Sequence, residues 1–387
     1  MTLQELWLSA AAHRLPYALW RRPGAPHPEA VVGINADALA GAPPRLEGGP
    51  AGFAFHPFQD SDRAPAFFVP ADLYHDGEQL HVAHEPARAW LASGGAGLVM
   101  TEPGMPRSSP KPPARQADEA FYQELVAKGV AFIRSGAVSK VVPSRAARRE
   151  LPAGFDAFAA FGKLCGAYPQ AFVSLFYSGY DYGQHWLGAS PELLAEVEAG
   201  RTFRTVALAG TQPAVAGQPP KEARWSQKEL LEQANVTRYI IECFKKVRLR
   251  EYHETGPRTV QAAHLLHLRT DFAVDLTQVP FPSLGTDMLR LLHPTSAVCG
   301  MPKQPALAWL ARHEGYDRTY YAGFLGPVNL PSAGTSALYV NLRCLQIMPG
   351  QQEAILYAGG GLTPASDPAK EWAETEWKLR VIADVVL

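Results

Sequence analysis

Apolar and polar positions along this chain form two patterns. Short apolar runs bounded by glycine, proline or polar turns predict strands, and they read EAVVGIN, AGFAFHPF, PAFFVP, QLHVAH, VSKVV, AFVSLFY, HWLGA, TFRTVALAG, HLLHLRTDFAV, YYAGFLGPV, TSALYVNLRCLQI and EAILYAGG. Apolar residues at helical spacing predict helices at 119–135, about 221–248, about 285–292 and 306–315. Hairpin-like strands with inserted helices favour an α+β protein with large antiparallel sheets.

Residues 102–118, TEPGMPRSSPKPPARQA, are rich in proline and serine and predict an exposed loop. The length of 387 residues alone suggests two or three domains. Strands are predicted on both sides of the loop, so we expect the loop to lie within one fold.

Composition and charge remove several classes of function. The formal net charge is −1, which gives no support for a surface that binds nucleic acid. No run approaches the ~18 apolar residues of a membrane span. The N-terminal residues lack a basic leader, and the four cysteines form no CxxC pair. We therefore expect reduced thiols in a cytoplasmic protein.

A glycine-rich turn leads into an acidic helix at 358–379, AGGGLTPASDPAKEWAETEWKL. Asp367 is a candidate N-cap with Pro368 at the first helical position. No lysine followed by serine or threonine is present, so the phosphate-loop pattern is not met. One interpretation is a solvated helix carrying a Glu374–Lys378 pair. The other is a site where the glycines admit a ligand to bare backbone.

A second acidic helix, SQKELLEQ at 226–233, carries Glu229 and Glu232. If Glu232 and Glu374 converged, they would form a hard-oxygen site suited to Mg²⁺, which is bound by one or two carboxylates, water and anionic ligand oxygens. Spacing along the chain does not establish that convergence.

Two further segments offer an acid and a base. Lys140 in VSKVVPSR is either a lysine that protects a sheet edge or a desolvated general base. Glu192 in WLGASPELL is either a carboxylate at a helix start or a general acid. A base and an acid on separate elements would suit elimination or substitution at a hydroxylated carbon.

His267 and His293 lack metal-ligand spacing, and lone histidines of this kind are usually structural. Arg343 is predicted to lie within an apolar strand. An unpaired buried charge is costly, so we expect it to meet a carboxylate of the protein or of a ligand.

Nine segments occur in an order that resembles the chorismate-utilising enzymes, a family that includes isochorismate synthases, salicylate synthases, anthranilate synthase component I and aminodeoxychorismate synthase component I. They read KVVPSR, LGASPELL, ALAGT, KELLEQ, HLRT, HPTSAVCGMP, EGYDRTYYAGFLG, NLRC and AGGGLTPASDPAKEWAETEWK. The resemblance covers about 115–387, whereas 1–114 match only loosely. It implies a single domain over 1–387, with two large, mostly antiparallel sheets, helices outside them and the active site between them. The two-domain expectation is set aside on that basis.

The resemblance also implies a set of site residues. Glu232 and Glu374 would bind Mg²⁺, which would hold the ring carboxylate of chorismate. That carboxylate would also meet Lys378, Gly359 and Gly360, and the enolpyruvyl carboxylate would meet Arg343 and Tyr321. The remaining predicted pocket residues are Ala209, Gly210, Thr211, His267 and Thr295. The chain departs from the family pattern at Gln233, Ser296 and Met301.

Two positions separate the branches of the family. Lys140 corresponds to the lysine that activates water in isochorismate and salicylate synthases, where anthranilate synthases carry glutamine. Ala209 stands where aminodeoxychorismate synthases carry a nucleophilic lysine. The resemblance thus implies an isochorismate synthase, with Lys140 as base, Glu192 as acid and no glutaminase subunit.

Two alternatives remain at this point. One is a salicylate synthase, which also eliminates pyruvate, and the other is a catalytically silent chorismate-binding protein. The resemblance does not choose among menaquinone, siderophore and salicylate as the destination of the product. It does make one geometric claim, that Glu374 and neither Glu371 nor Glu376 should face Glu232 across a gap sized for Mg²⁺.

Overall fold

The computed structural model describes residues 1–34, 43–61, 64–94, 118–179, 184–215, 217–279, 281–348 and 352–387. Its α-helices are α1 (Leu3–Ala12), α2 (Glu85–Ala92), α3 (Glu119–Arg134), α4 (Ala157–Ala167), α5 (Gln227–Lys246), α6 (Leu284–Leu292), α7 (Lys303–His313) and α8 (Pro368–Val386). A short 3₁₀ helix at Pro220–Glu222 precedes α5. No helix in the described ranges is long and apolar enough to cross a membrane.

Seventeen strands form two large sheets in which every described ladder is antiparallel. The first sheet has the order β6-β5-β2-β1-β9-β10-β18-β19-β8. Its strands are β1 (Tyr17–Arg21), β2 (Glu29–Val32), β5 (Leu73–His75), β6 (Leu80–Val82), β8 (Ser144–Glu150), β9 (Phe172–Tyr177), β10 (His185–Ser190), β18 (Cys344–Ile347) and β19 (Glu353–Gly359).

The second sheet has the order β13-β14-β12-β11-β17-β16-β3-β4. Its strands are β3 (Gly52–His56), β4 (Phe67–Pro70), β11 (Leu193–Glu198), β12 (Thr202–Pro213), β13 (His253–Ala262), β14 (Leu265–Asp275), β16 (Phe324–Val328) and β17 (Thr335–Val340). A separate ladder joins β7 (Lys140–Val141) to β15 (Gly300–Met301). The predicted α+β class with two large antiparallel sheets is confirmed.

The N-terminal strands pair with strands from later in the chain. Strand β1 lies beside β9, and β3 lies beside β16. This pairing supports the prediction of one domain over 1–387. The predicted loop at 102–118 lies, up to residue 117, outside the described residues.

Two apolar layers hold the sheets in place. Between the sheets, the ring of Phe55 stacks on Phe176 and on Tyr320, with centroids 4.1 and 4.5 Å apart. A second layer covers the other face of the first sheet, where Phe161 of α4 and Ile382 of α8 are buried. Apolar side chains thus fill most of the space between the sheets. A binding site can lie there only where polar side chains replace this packing.

The chain passes from one sheet to the other twice at the same place, which we call the corner (residues 189–193 and 340–344). Strand β10 continues into β11 through Pro191 and Glu192, and β17 continues into β18 through 341–343. The two crossings are bonded to each other, because Val340 N–H donates to the Glu192 carbonyl and Ala189 N–H to the Arg343 carbonyl, both at 3.0 Å.

The corner corrects one prediction. The apolar run TSALYVNLRCLQI comprises two strands in different sheets, so Arg343 lies between strands and not within one. Its φ of 49° is left-handed and turns the chain there. The continuous apolar pattern concealed this turn because both strands are buried on both faces.

Candidate active site

A deep pocket of about 60 Å³ lies between the two sheets at the corner. Most of the predicted site residues line it, namely Glu192, Ala209, Gly210, Thr211, Glu232, His267, Tyr321, Arg343, Gly359 and Lys378. The other predicted residues are Lys140, Thr295, Gly360 and Glu374, which are not on the lining but adjoin residues that are. A wider cleft of about 800 Å³ adjoins the pocket and shares Pro191, Leu208, His267 and Arg343 with its lining.

Carboxylates from α8 are buried next to lysines from α5 and α8. Glu371 is 1% exposed and Glu374 is 7% exposed, so the interpretation of a solvated surface helix is wrong. Lys228 Nζ lies 2.8 Å from Glu371 Oε1 and 3.5 Å from Glu374 Oε2, and Lys378 Nζ donates to Glu374 Oε1 at 2.7 Å. The predicted i,i+4 pair is present, but inside the protein.

The two carboxyl groups of α8 differ in their affinity for protons. Burial, reinforced by the charge of Glu374, raises the pKa of Glu371. Burial acts on the pKa of Glu374 in the same direction, but Lys378 and Lys228 outweigh it and lower that pKa. Glu374 is therefore the ionised member of the pair. Glu376, by contrast, pairs with Arg145.

The glycines before α8 are needed because other side chains lie against their backbone. A Cβ on Gly361 would stand 1.9 Å from Glu232 Oε1, and one on Gly360 would stand 2.8 Å from Glu371 Oε2. The Gly360 amide already donates to the Pro143 carbonyl at 3.1 Å. The Gly359 carbonyl accepts from Lys378 Nζ at 2.7 Å. These glycines thus bring carboxylates close to the chain, a role that the sequence analysis did not foresee.

Lys140 is fully buried in the two-residue strand β7, so it does not protect an exposed sheet edge. Its Nζ lies 3.1 Å from Glu232 Oε1 and forms an ion pair at angles outside those of a regular hydrogen bond. The Gly361 backbone covers its side chain, since a Cβ there would lie 3.0 Å from Lys140 Cε. The lysine is therefore held against the carboxylate cluster in a desolvated position.

Glu192 lies on the corner between β10 and β11 and not at a helix start, so that interpretation is wrong. Burial raises the pKa of its carboxyl to about 7, although Lys140 and Arg343 act in the opposite direction. The Thr295 hydroxyl, which makes no regular hydrogen bond within the described ranges, lies close enough to lower that pKa slightly. Glu192 can therefore carry a proton near neutral pH.

His267 is a neutral hydrogen-bonding group in the pocket wall. Burial lowers its pKa to about 3, and its Nδ1 donates to the Gly210 carbonyl at 2.9 Å. Its Nε2 is buried with no partner among the described residues. His293 instead bonds the Pro57 carbonyl through Nε2 at 2.9 Å, as expected of a structural histidine.

Arg343 is a cation in the pocket lining. Burial lowers the pKa of its guanidinium, and Tyr321 and Glu374 partly offset this effect. Within the described part of the chain, no carboxylate oxygen lies within 4.0 Å of it.

The structure adds three residues that the sequence analysis did not select, namely Lys228, Glu371 and Arg318. Lys228 is four residues before Glu232 on α5, a spacing that places both on one helix face and could have indicated it. Arg318 lines the pocket from within the segment EGYDRTYYAGFLG. Glu371 shares Lys228 with Glu374, so it cannot be separated from the cluster as the geometric claim supposed.

Together these groups can bind an anion and move protons. A proton-holding acid and three cationic side chains line one pocket between the sheets, and a buried base candidate lies just behind the lining. Among the described residues, no cluster of three or more His, Cys, Asp or Glu side chains could hold a metal.

Replacing Gly361 by alanine should lower the free energy of unfolding by about 1–3 kcal/mol, because the added methyl group overlaps Glu232 in a packed interior. Urea denaturation measures this change. The control is Gly162→Ala in α4, where nothing lies within 4 Å of the added Cβ. Helix propensity should make that variant neutral or up to ~1 kcal/mol more stable. Equal stabilities of the two variants would contradict the close contact at Gly361.

Comparison with known proteins assigns the family. Residues 99–387 match the family model of the chorismate binding enzymes. The isochorismate synthase EntC of Escherichia coli K12 is 30% identical over 279 residues, covering 70% of this chain and 68% of its own. The salicylate biosynthesis isochorismate synthase of Pseudomonas aeruginosa is 30% identical over 383 residues, covering 91% and 77% respectively.

Solved structures agree in fold. MenF, the menaquinone-specific isochorismate synthase from Escherichia coli, superposes with a TM-score of 0.75 at 20% identity, covering 100% of this chain and 93% of that chain. Anthranilate synthase component I from Streptococcus pneumoniae gives a TM-score of 0.64 at 18% identity, covering 95% and 89%. From the matched family model, the sequence relatives and the shared fold, this chain belongs to the chorismate binding enzyme family.

Proposed function

We propose that this protein is an isochorismate synthase, which converts chorismate to isochorismate by adding water at C2 and releasing the C4 hydroxyl. The observation that carries the proposal is a proton-holding glutamate on the pocket lining, Glu192, together with a buried lysine just behind that lining, Lys140, which contacts the lining residue Glu232. The small Ala209 lies in the pocket wall. The relatives named isochorismate synthase support it.

In this reaction Lys140 removes a proton from water as the oxygen bonds to C2. The ring double bonds shift, the C4–O bond breaks, and Glu192 gives its proton to the departing hydroxyl, which leaves as water. One water enters and one leaves, so no oxidant or second substrate is needed. The raised pKa of Glu192 supports its role as acid, because the carboxyl must hold a proton until the bond breaks.

The substrate carries two carboxylates, and the pocket has cations to receive them. Arg343, which has no carboxylate partner within the described ranges, and Tyr321 would bind the enolpyruvyl carboxylate. Lys378 has one N–H left after its bonds to Gly359 and Glu374, and it would bind the ring carboxylate. The neutral His267 offers Nε2 as an acceptor for a substrate hydroxyl.

We further propose Mg²⁺ as cofactor, held by Glu232 and Glu374. Glu232 and Glu374 are buried carboxylates beside the glycine turn, where a Cβ on Gly361 would overlap Glu232 Oε1 and one on Gly360 would lie 3.8 Å from Glu374 Oε1. Two carboxylates next to bare backbone suit a small hard cation that keeps several waters. Bound Mg²⁺ would offset the repulsion between the dianionic substrate and these carboxylates. Lys228, which contacts both Glu371 and Glu374, contributes a positive charge to the same cluster.

The deep pocket is much smaller than the ~300–1,000 Å³ of typical ligand sites. A ring compound would therefore have to widen it or extend into the adjoining cleft of about 800 Å³. Arg343 and His267 line both spaces, so these two residues proposed to bind substrate border the pocket and the cleft alike. The four cysteines are unpaired, which supports a reducing compartment.

The deciding experiment is to incubate purified protein with chorismate and Mg²⁺ and to identify the products by chromatography. Isochorismate without pyruvate is expected, and chelation of Mg²⁺ by EDTA should abolish it. Salicylate with pyruvate would make the protein a salicylate synthase instead. Binding of chorismate with no product would make it a silent binding protein.

Lys140→Ala and Glu192→Gln should each reduce kcat more than ~100-fold, the usual scale for loss of a general base or acid. The matched controls are Lys128→Ala on α3 and Glu198→Gln on β11, whose side chains are 55% and 41% exposed. Steady-state assays on all four variants give the comparison. Near-normal turnover of either pocket variant would overturn its role.

The pH dependence of kcat/KM should follow Glu192. Its carboxyl in the free enzyme holds a proton below about pH 7 and loses it above, so kcat/KM should fall about tenfold per pH unit on the alkaline side. A profile from pH 5.5 to 9 measures this limb. The limb should be missing from the residual activity of Glu192→Gln, and its persistence there would assign it to another group.

A further inference from the structure

The segment EGYDRTYYAGFLG contains a buried ion pair that the proposed reaction does not use. Glu314 and Arg318 are both at least nine-tenths buried, just after α7. Arg318 Nε donates to Glu314 Oε2 at 2.8 Å, and its Nη2 donates to Glu314 Oε1. The guanidinium also packs over the Phe58 ring, 4.4 Å from its centroid.

The remaining donors of Arg318 bind two backbone carbonyls from different segments. Nη2 donates to the Val142 carbonyl at 2.6 Å and Nη1 to the Val298 carbonyl at 2.7 Å. Val142 is two residues after Lys140, and Val298 is three residues after Thr295. The arginine therefore joins the segment of the proposed base to the wall that carries the threonine beside Glu192.

Glu314 holds the same base segment from its other side. It accepts from the Ser144 amide at 2.7 Å and from the Ser144 hydroxyl at 2.9 Å. Residues 142–144 are thus bound at a carbonyl by Arg318 and at an amide by Glu314. The regular ladder at Lys140 is only two residues long, and Ser144 at the other end of the segment begins β8, which pairs with β19. Between them the Val142 amide donates to the Cys299 carbonyl at 3.0 Å. The buried ion pair adds side-chain bonds to this backbone attachment.

An ion pair is a costly way to fill a core. Breaking one is strongly destabilising, yet a well-packed apolar replacement is often as stable, so burial of the pair is weak evidence for a stabilising purpose. The planar guanidinium of arginine can donate to several acceptors in fixed directions, and the ammonium group of lysine cannot. The ion pair of Glu314 and Arg318 therefore fits a role in fixing the relative positions of the backbone segments that it binds.

We propose that Arg318, with Glu314, is a positioning residue that fixes Lys140 relative to Glu192. It acts through the backbone of 140–144 and 295–298 and takes no part in proton transfer. This inference rests on the proposed isochorismate synthase activity. Loss of the hydrogen bonds from Arg318 and Glu314 to these segments should reduce the rate of the chemical step and leave substrate binding largely intact. Small displacements of reacting groups can cost up to ~100-fold in rate.

The test compares Arg318→Lys with Arg21→Lys. Arg21 is also buried and also donates to two backbone carbonyls, of Tyr168 at 2.6 Å and Ala171 at 3.4 Å, but it does not line the deep pocket. For each protein we would measure kcat per folded molecule, KM, and the solvent deuterium isotope effect on kcat. The folded fraction comes from circular dichroism.

For Arg318→Lys we expect kcat to fall about 10–100-fold with KM within ~3-fold, and the isotope effect to rise above the wild-type value as proton transfer becomes the slowest step. A merely structural role would not change the isotope effect of the molecules that remain folded. Arg21→Lys should keep the wild-type kcat and isotope effect even where it lowers the melting temperature.

The double variant Glu314→Gln with Arg318→Met covers the case in which the lysine variant fails to fold. It removes both charges and keeps similar volumes, so it should fold and still show the lower kcat and higher isotope effect. The inference would be overturned if Arg318→Lys and the double variant matched Arg21→Lys in kcat and in the isotope effect. It would also be overturned if neither of these two variants folded. A wild-type protein that makes no isochorismate would overturn the proposed function instead.

Discussion

The geometry of this molecule is set where two chain segments pair and both pass from one sheet to the other. Strands β10 and β18 are neighbours in the first sheet, β11 and β17 are neighbours in the second, and the corner between them is bonded through Glu192 and Arg343. The side chains of these two residues are therefore positioned by main-chain bonds. The carboxyl group of Glu192 and the guanidinium of Arg343 both reach the pocket because the ladders on either side of the corner fix the backbone that carries them.

Charge balance is the second condition on the site. Burying an unpaired carboxylate is very costly, and here Lys140, Lys228 and Lys378 are set among Glu232, Glu371 and Glu374. The protein satisfies these charges internally. Arg343 differs from these lysines, because no carboxylate within the described ranges pairs with it. The lysines hold the site together, whereas the guanidinium of Arg343 is the group proposed to bind a ligand.

The sequence was informative where local chemistry decides the outcome. Asp367 caps α8 through the Lys370 amide, as its position before Pro368 indicated. The i,i+4 spacing of Glu374 and Lys378 likewise gave their contact. Burial was not predictable in this way, because a helix pattern does not show what packs on its polar face. The turn at Arg343 was missed because an apolar run looks the same whether its strand stays in one sheet or enters another.

The corner also constrains how the protein can move. Many enzymes enclose a ligand by rotating two parts about a hinge. Here each sheet continues into the other through two crossings, and each crossing is only two or three residues long. So short a piece of chain spans at most ~11 Å, which keeps the two sheets close together at the corner. Any rotation of one sheet relative to the other would therefore have to pivot at the corner, beside Glu192 and Arg343.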